Sequence, residues 1–121
     1  MKILVVDDSK AMRMIVKKTL RDAGYGGHDI VEASDGQEGL DVFFQEDPDL
    51  VLSDWNMPNM TGPEFLKALN DQGATTKFGF VTTEATPPMR SLADELGARF
   101  LIAKPFTATS FVNALEPVIG S

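Results

Sequence analysis

Polar residues capable of chemistry recur at the ends of short apolar runs in this 121-residue chain. Asp7 and Asp8 close the run Ile3–Val6, and Asp54 stands just past Leu50–Leu52. Thr82 and Thr83 follow Phe78–Val81, and Lys104 with Pro105 follows Phe100–Ala103. Asp7, Asp8 and Asp54 brought together would repel one another, so a positive group should sit among them. A hard divalent cation with oxygen ligands fits, and Mg²⁺ is usually held by one or two carboxylates plus water and a phosphate. Lys104 would supply a second positive charge. Metal and ammonium together neutralise the oxygens of a moving phosphoryl group, and a hydroxyl such as that of Thr82 can hydrogen-bond one of them. A carboxylate can itself take the group as an aspartyl phosphate. Taken singly, each residue also has a plain use. Asp7 and Asp8 could mark a helix start, Asp54 the polar end of a strand, Thr82 a β-branched strand residue and Lys104 a solvated lysine.

The elements that must position these residues follow from periodicity. The runs Ile3–Val6, Asp29–Ala33, Leu50–Leu52, Phe78–Val81 and Phe100–Ala103 show little polar alternation, as strands buried on both faces do. Helix signals lie between them. Ser9 can cap a helix carrying Met12, Ile15, Val16 and Leu20 and ending near Gly24. Asp35 with Glu38, and Thr61 with Glu64, have the spacing of capping boxes. Leu40, Phe43 and Phe44 follow the first box, and Phe65, Leu66 and Leu69 the second. Thr86 precedes Pro87, which a first helical turn tolerates, and Met89, Leu92, Ala93 and Leu96 form the stripe behind it. Thr107 can cap a last helix with Phe111, Val112, Leu115 and Val118 inward, and Pro117 should end or kink it near Glu116. A strand–helix unit repeated five times predicts an α/β fold with an open parallel sheet covered by helices on both faces. In such sheets ligands bind outside the carboxyl ends of the strands, where Asp7, Asp8, Asp54, Thr82 and Lys104 fall.

Composition narrows the function classes. The chain is 43% hydrophobic and 24% charged, ordinary for a single globular domain over 1–121. With a net charge of −7 and no basic stretch, binding to nucleic acid or to an anionic membrane surface is not expected. There is no cysteine, which excludes disulfides and thiolate chemistry and agrees with a reducing, cytoplasmic setting. No apolar run approaches membrane-spanning length. His28, the only histidine, precedes the second run and is expected at the surface, which leaves no histidine-based triad or zinc site.

The motifs carry a family likeness. The stretches "ILVVDDS", "DWNMPNMTG", "FVTTEA" and "AKPF", in that order at strand ends, resemble those of a response-regulator receiver domain, most closely the stand-alone CheY type of bacterial chemotaxis. The likeness covers essentially the whole chain. It implies a flavodoxin-like (βα)5 doubly wound sheet of order 2-1-3-4-5, an order that periodicity alone does not supply. It implies Asp54 as phosphoacceptor, with Asp8, Asp54 and the backbone carbonyl of Asn56 ligating Mg²⁺ and Asp7 acting through a metal-bound water. Lys104 would pair with the phosphoryl group, Thr82 would swing toward it, and the Lys104–Pro105 bond would be cis. Asn56 and Glu84 would tune the phosphoryl lifetime, and Thr83 would crowd the entrance. The phosphodonor would be a sensor histidine kinase of the CheA-like kind. The output would be a flagellar motor switch protein or another protein bound through helix four, strand five and helix five, by a monomer without a fused output domain. The chain would catalyse only its own phosphorylation and dephosphorylation.

The chain departs from the family pattern at one transmitting position. Where an aromatic residue commonly stands three positions before the lysine, this sequence has Leu101, and Phe100 should point to the opposite face of its strand. Pro87-Pro88 also stiffens the start of helix four. The same residues fit other readings. A phosphorelay shuttle or a receiver outside motility fits the same chemistry, as does an interaction module used without phosphorylation. A haloacid-dehalogenase-type phosphatase would need a second acid two residues after Asp54, where Asn56 stands. A flavin-phosphate site would be repelled by Asp7-Asp8.

Overall fold

The computed structural model describes residues 1–119, so the last two residues of the expected 1–121 domain lie outside the described residues. Five strands alternate with helices: β1 (Lys2–Val6), α1 (Lys10–Leu20), β2 (Asp29–Ala33), α2 (Gly36–Glu46), β3 (Leu50–Ser53), α3 (Gly62–Asp71), β4 (Lys77–Thr82), α4 (Pro87–Glu95), β5 (Phe100–Ala103) and α5 (Ala108–Ile119). All pairings are parallel, and the order is β2-β1-β3-β4-β5.

Alternating side chains divide the core between the two faces of the sheet, as the two-residue strand period requires. On β1, Leu4 and Val6 join Val51, Phe65, Phe78 and Phe80 under α2, α3 and α4. Ile3 and Val5 join Leu50, Leu52, Val16, Phe111 and Leu115 under α1 and α5. The aromatic rings on the first face interlock edge-on, with Phe65–Phe78 at 5.5 Å and Phe78–Phe80 at 5.1 Å between centroids. Because strands so buried must align their apolar residues, their ends align too. Ala33, Val6, Ser53, Phe80 and Leu101 form one row across the sheet. Asp7 and Asp54 are the residues just past β1 and β3.

The helix starts are set by local chemistry. Ser9 Oγ accepts from the Met12 N–H at 3.1 Å, and Thr61 and Glu64 make both bonds of a capping box. Thr107 and Ser110 exchange similar bonds at the start of α5. Asp35 makes only half a box. Its carboxylate accepts from the Glu38 N–H, while Glu38 reaches back to Ser34 instead.

Several expectations about helices are corrected. The first helical stretch does end near Gly24, which is at φ 99°, but its α-helical part stops at Leu20 and a π turn runs over Arg21–Tyr25. Ile15 is 49% exposed, because the packing face of α1 runs through Met12, Val16 and Leu20. Phe44 likewise faces outward at 53% exposure while Phe43 is buried. On α5, Ala114 and Ile119 pack on the core with Phe111 and Leu115, and Val112 and Val118 do not. That helix continues past Pro117 to Ile119. Proline this close to a helix end removes a single backbone bond, and the packing of Leu115 and Ile119 on one cluster holds the final turn in place. His28 is half-buried, its ring stacked on Tyr25 and its Nδ1 3.1 Å from the N-terminal amine.

Gly62 opens α3 where the chain returns beside the end of β3. Its N–H donates to the Trp55 carbonyl at 2.8 Å, and a Cβ there would overlap the Asp54 carbonyl and press on the Phe80 ring. Gly62→Ala is expected to cost about 1–3 kcal/mol in chemical denaturation. It should also alter the near-ultraviolet signal of Trp55, because the loop has to move to admit a methyl group.

Candidate functional site

The site forms where β1, β3 and β5 end on the same edge. The Asp7 N–H donates to the Ala33 carbonyl at 3.1 Å, and the Asp54 N–H to the Val6 carbonyl at 2.8 Å, so both aspartates leave the sheet from fixed positions. Lys104 leaves β5 with its N–H on the Thr82 carbonyl at 2.7 Å. The Lys104–Pro105 bond is cis.

Four of the expected side chains meet. One carboxylate oxygen from each of Asp7, Asp8 and Asp54 lies within 4.8 Å of the other two. The Lys104 ammonium is 3.1 Å from Asp7 Oδ2 and 3.6 Å from Asp54 Oδ2. Asp7 Oδ1 accepts from the Ser9 N–H at 2.9 Å, and Asp54 Oδ1 from the Trp55 N–H at 2.7 Å. Asp7 is buried, Asp54 half-buried and Asp8 exposed. Burial pushes the Asp54 carboxyl above its ordinary range, Lys104 pulls it back, and the neighbouring Asp7 pushes it up again.

The other expected residues surround this group. Thr82 is fully buried at the end of β4, and its hydroxyl oxygen accepts from the Glu84 N–H at 3.3 Å. Thr83 and Glu84 are exposed in the loop that follows, and Asn56 is exposed two residues past Asp54. Leu101 packs on the α2–α4 side with Trp55, Met57 and Phe80. Phe100 packs on the opposite side, as strand alternation predicts. The loop after Asp54 is anchored from α2. The Asn59 side chain, on a residue at φ 66°, donates to Asp35 Oδ2 at 2.7 Å, and the Gly36 N–H donates to the Met60 carbonyl at 3.3 Å.

The comparisons with known proteins agree with this geometry. A family model described as the response regulator receiver domain matches residues 3–116. The chain belongs to that family. As a receiver domain it is 34% identical over 122 residues to a probable chemotaxis protein CheY of Rhizobium etli, covering 99% of this chain and 93% of the relative. It is 38% identical over 120 residues to chemotaxis protein CheY-3 of Vibrio cholerae, covering 98% and 91%. A structure of chemotaxis protein CheY4 from Vibrio cholerae superposes with a TM-score of 0.85 at 38% identity, covering 98% of each chain.

The donor set of this receiver domain fits a hard divalent cation. All three clustered groups are carboxylates, close enough to share one ion, and Lys104 already draws two of them inward. The acidic pocket could therefore hold Mg²⁺.

Sequence reasoning missed the charged residues that brace the pocket. Arg13 donates through Nε to Glu32 Oε1 at 2.9 Å and through its guanidinium to the Asp7 carbonyl. Lys17 bonds the other Glu32 oxygen at 2.9 Å, and that bond does most to hold the Glu32 carboxyl below its ordinary value. The available signal was Glu32 itself, a charge inside an otherwise apolar strand run.

A raised Asp54 carboxyl has a defined effect on stability. Between the ordinary carboxylate value and the raised folded value, the folded chain holds a proton that the unfolded chain has released. Stability therefore falls as pH rises through that window. Without divalent cation, Asp54→Asn is expected to raise the melting temperature by a few degrees at neutral pH. Melting curves across the acidic range should show the gain shrinking as pH drops.

Proposed function

We propose that this receiver domain is a phosphorylation switch. It takes a phosphoryl group from a phosphohistidine on a sensor histidine kinase of the chemotaxis type onto Asp54, and so alters its binding to an output protein. The observation that carries the reading is the convergence of Asp7, Asp8, Asp54 and Lys104 at one sheet edge. The printed names of the relatives, chemotaxis proteins of Rhizobium etli and Vibrio cholerae, support the motility setting.

The transfer follows from the roles of these groups. An Asp54 carboxylate oxygen attacks phosphorus, the P–O bond forms as the P–N bond to the imidazole breaks, and the electron pair stays on that nitrogen, which takes a proton. Asp54 is half-buried beside a cation, so it meets the phosphoryl group with little bulk water between them. The Lys104 ammonium neutralises the phosphoryl oxygens, and the Thr82 hydroxyl gives up its present contact to hydrogen-bond one of them. Mg²⁺ held by Asp8, Asp54 and the Asn56 carbonyl, with Asp7 through a water, would supply the remaining positive charge. Because Lys104 now bonds Asp7 and approaches Asp54, it must shift toward the new phosphoryl oxygens. That shift releases Asp7 from its direct ion pair.

Hydrolysis resets the switch when water attacks the acyl phosphate. Asn56 and Glu84, exposed on loops either side of Asp54, and Thr83 at the entrance, govern how water approaches. The chain acts on no separate substrate; it catalyses its own phosphorylation and dephosphorylation. The phosphoryl group shifts a conformational equilibrium at α4, β5 and α5, and that face binds a motor switch protein or an equivalent output.

Incubation with acetyl phosphate and Mg²⁺ should add one phosphoryl group by intact-mass measurement, and Asp54→Asn or a chelator should abolish the addition. Beryllofluoride with Mg²⁺ should shift the amide resonances of Asp54, Thr82 and Lys104; an unchanged spectrum would rule the switch out. Paired substitutions at Asn56 and Glu84 should change the dephosphorylation rate severalfold in a phosphate-release assay, and an unaltered rate would exclude them as lifetime residues.

A further inference from the structure

Asp7 is held at every polar backbone and side-chain atom. Its N–H is on β2 through Ala33, and its carboxylate oxygens are on the Ser9 N–H and the Lys104 ammonium. Its carbonyl lies beyond the last paired row of β1, where no neighbouring strand donates to it. Arg13 fills that place. Its guanidinium donates to the Asp7 carbonyl, and the same planar group is fixed by Glu32 on β2. Lys17 holds the second Glu32 oxygen, so that carboxylate is clamped from both sides. The Arg13 side chain is only 14% exposed, which makes this an internal brace more than a loose surface pair.

The carbonyl that Arg13 holds belongs to the peptide joining Asp7 to Asp8. Fixing that oxygen fixes the plane of the peptide, and with it the direction in which Asp8 leaves the chain. Asp8 is exposed, unlike Asp7 and Asp54, so its placement depends on the backbone more than on packing. We propose that Arg13, anchored by Glu32, is a positioning residue that sets the Asp8 carboxylate for divalent-cation binding. This rests on the acidic pocket being a Mg²⁺ site, as the switch requires. Groups that orient metal ligands from outside the coordination sphere commonly matter tenfold or more to affinity.

The sign of the effect separates this role from simple electrostatics. Arg13 is a cation close to a cation site. Removing its charge, taken alone, would tighten Mg²⁺ binding. Loss of positioning would weaken it. Arg13→Lys keeps the charge but lacks the planar fork that reaches a carbonyl and a carboxylate together.

Mg²⁺ titration followed by the fluorescence of Trp55, the sole tryptophan and the neighbour of Asp54, reads the affinity directly. Calorimetry supplies a second readout. Arg13→Ala and Arg13→Lys are expected to raise the Mg²⁺ Kd about tenfold. Phosphorylation by acetyl phosphate should recover when Mg²⁺ is raised to saturation. Lys18→Ala, which removes a charge from the same helix without touching Glu32 or the Asp7 carbonyl, should leave the Kd unchanged or lower it. Far-ultraviolet circular dichroism confirms that each variant is folded at the assay temperature. If Arg13→Ala does not fold, Arg13→Lys decides alone. An unchanged or tighter Kd in the folded arginine variants overturns the proposal, as does an equal weakening in Lys18→Ala. Failure of the wild-type protein to bind Mg²⁺ would instead overturn the pocket on which it rests.

Discussion

Like charges crowded at one edge of a buried sheet are the constraint around which this molecule is arranged. Asp7, Asp8 and Asp54 offer oxygens within 4.8 Å of one another, and Lys104 is the cation drawn in among them. Carboxylates that close repel strongly where water is scarce. They stay together because their positions are fixed by something stronger than their preference to separate. That something is the registry of a parallel sheet whose strands are buried on both faces. Sliding β1 or β3 by one residue would turn Leu4, Val6 and Val51 from one core to the other and expose the wrong side chains everywhere. The apolar interior thus holds an electrostatically unfavourable arrangement in place. Burial raises the Asp54 carboxyl above its ordinary range, Lys104 pulls it down, and the crowding of Asp7 adds to the rise.

The supports around the pocket divide the labour. Backbone bonds from Val6 and Ala33 set the depth of Asp54 and Asp7. The cap at Ser9 turns the chain after Asp8, and the same residue's N–H holds Asp7. Asp35 serves α2 as its cap and the Asp54 loop as the acceptor for Asn59, and these bonds hold its carboxyl below the ordinary range. Ser9 and Asp35 each do local work at a helix end and brace the pocket or its loop through one further bond. Rigid placement of a reactive carboxylate needs such outer contacts, since the carboxylate itself has few.

Much of this could be read in advance, and what could not has a common cause. The strands stood out because burial on both faces leaves an unbroken apolar run. The caps at Ser9, Thr61 and Thr107 stood out because they act within one helical turn. The meeting of Asp8, Asp54 and Lys104 was legible through their common placement at strand ends, given a strand order that only the family resemblance supplied. Arg13 and Glu32 were not legible, because their bond joins residues 19 apart on different elements and follows no period. Ile15 and Val112 were misplaced for a related reason: helical spacing identifies an apolar stripe, but the angle at which a helix lies on the sheet decides which edge of the stripe is covered. Pro117, expected to end or kink the last helix near Glu116, does not end it, because the rule for a helix interior weakens within the last described turn.

Leu101 bears on how a change at Asp54 could travel. It lies in the row that runs from Ser53 through Phe80, so β3, which ends just before Asp54, and β5, which ends just before Lys104, are joined through β4. Trp55, beside Asp54, rests on Phe80 at 4.8 Å between ring centroids, and Leu101 packs in the same cluster. Thr82 holds Lys104 through its carbonyl and Glu84 through its hydroxyl oxygen. Under the proposed switch, a Thr82 hydroxyl turning toward a phosphoryl oxygen would leave the Glu84 N–H without its acceptor and remove a tether from the loop entering α4. That path needs no aromatic side chain to rotate at position 101. A leucine there has only to keep β5 packed while the loop between β4 and α4 rearranges. The Pro87-Pro88 start of α4 would then limit how far such a rearrangement spreads into the helix, because fixed backbone angles at its first turn let a helix move as a unit more easily than they let it unwind.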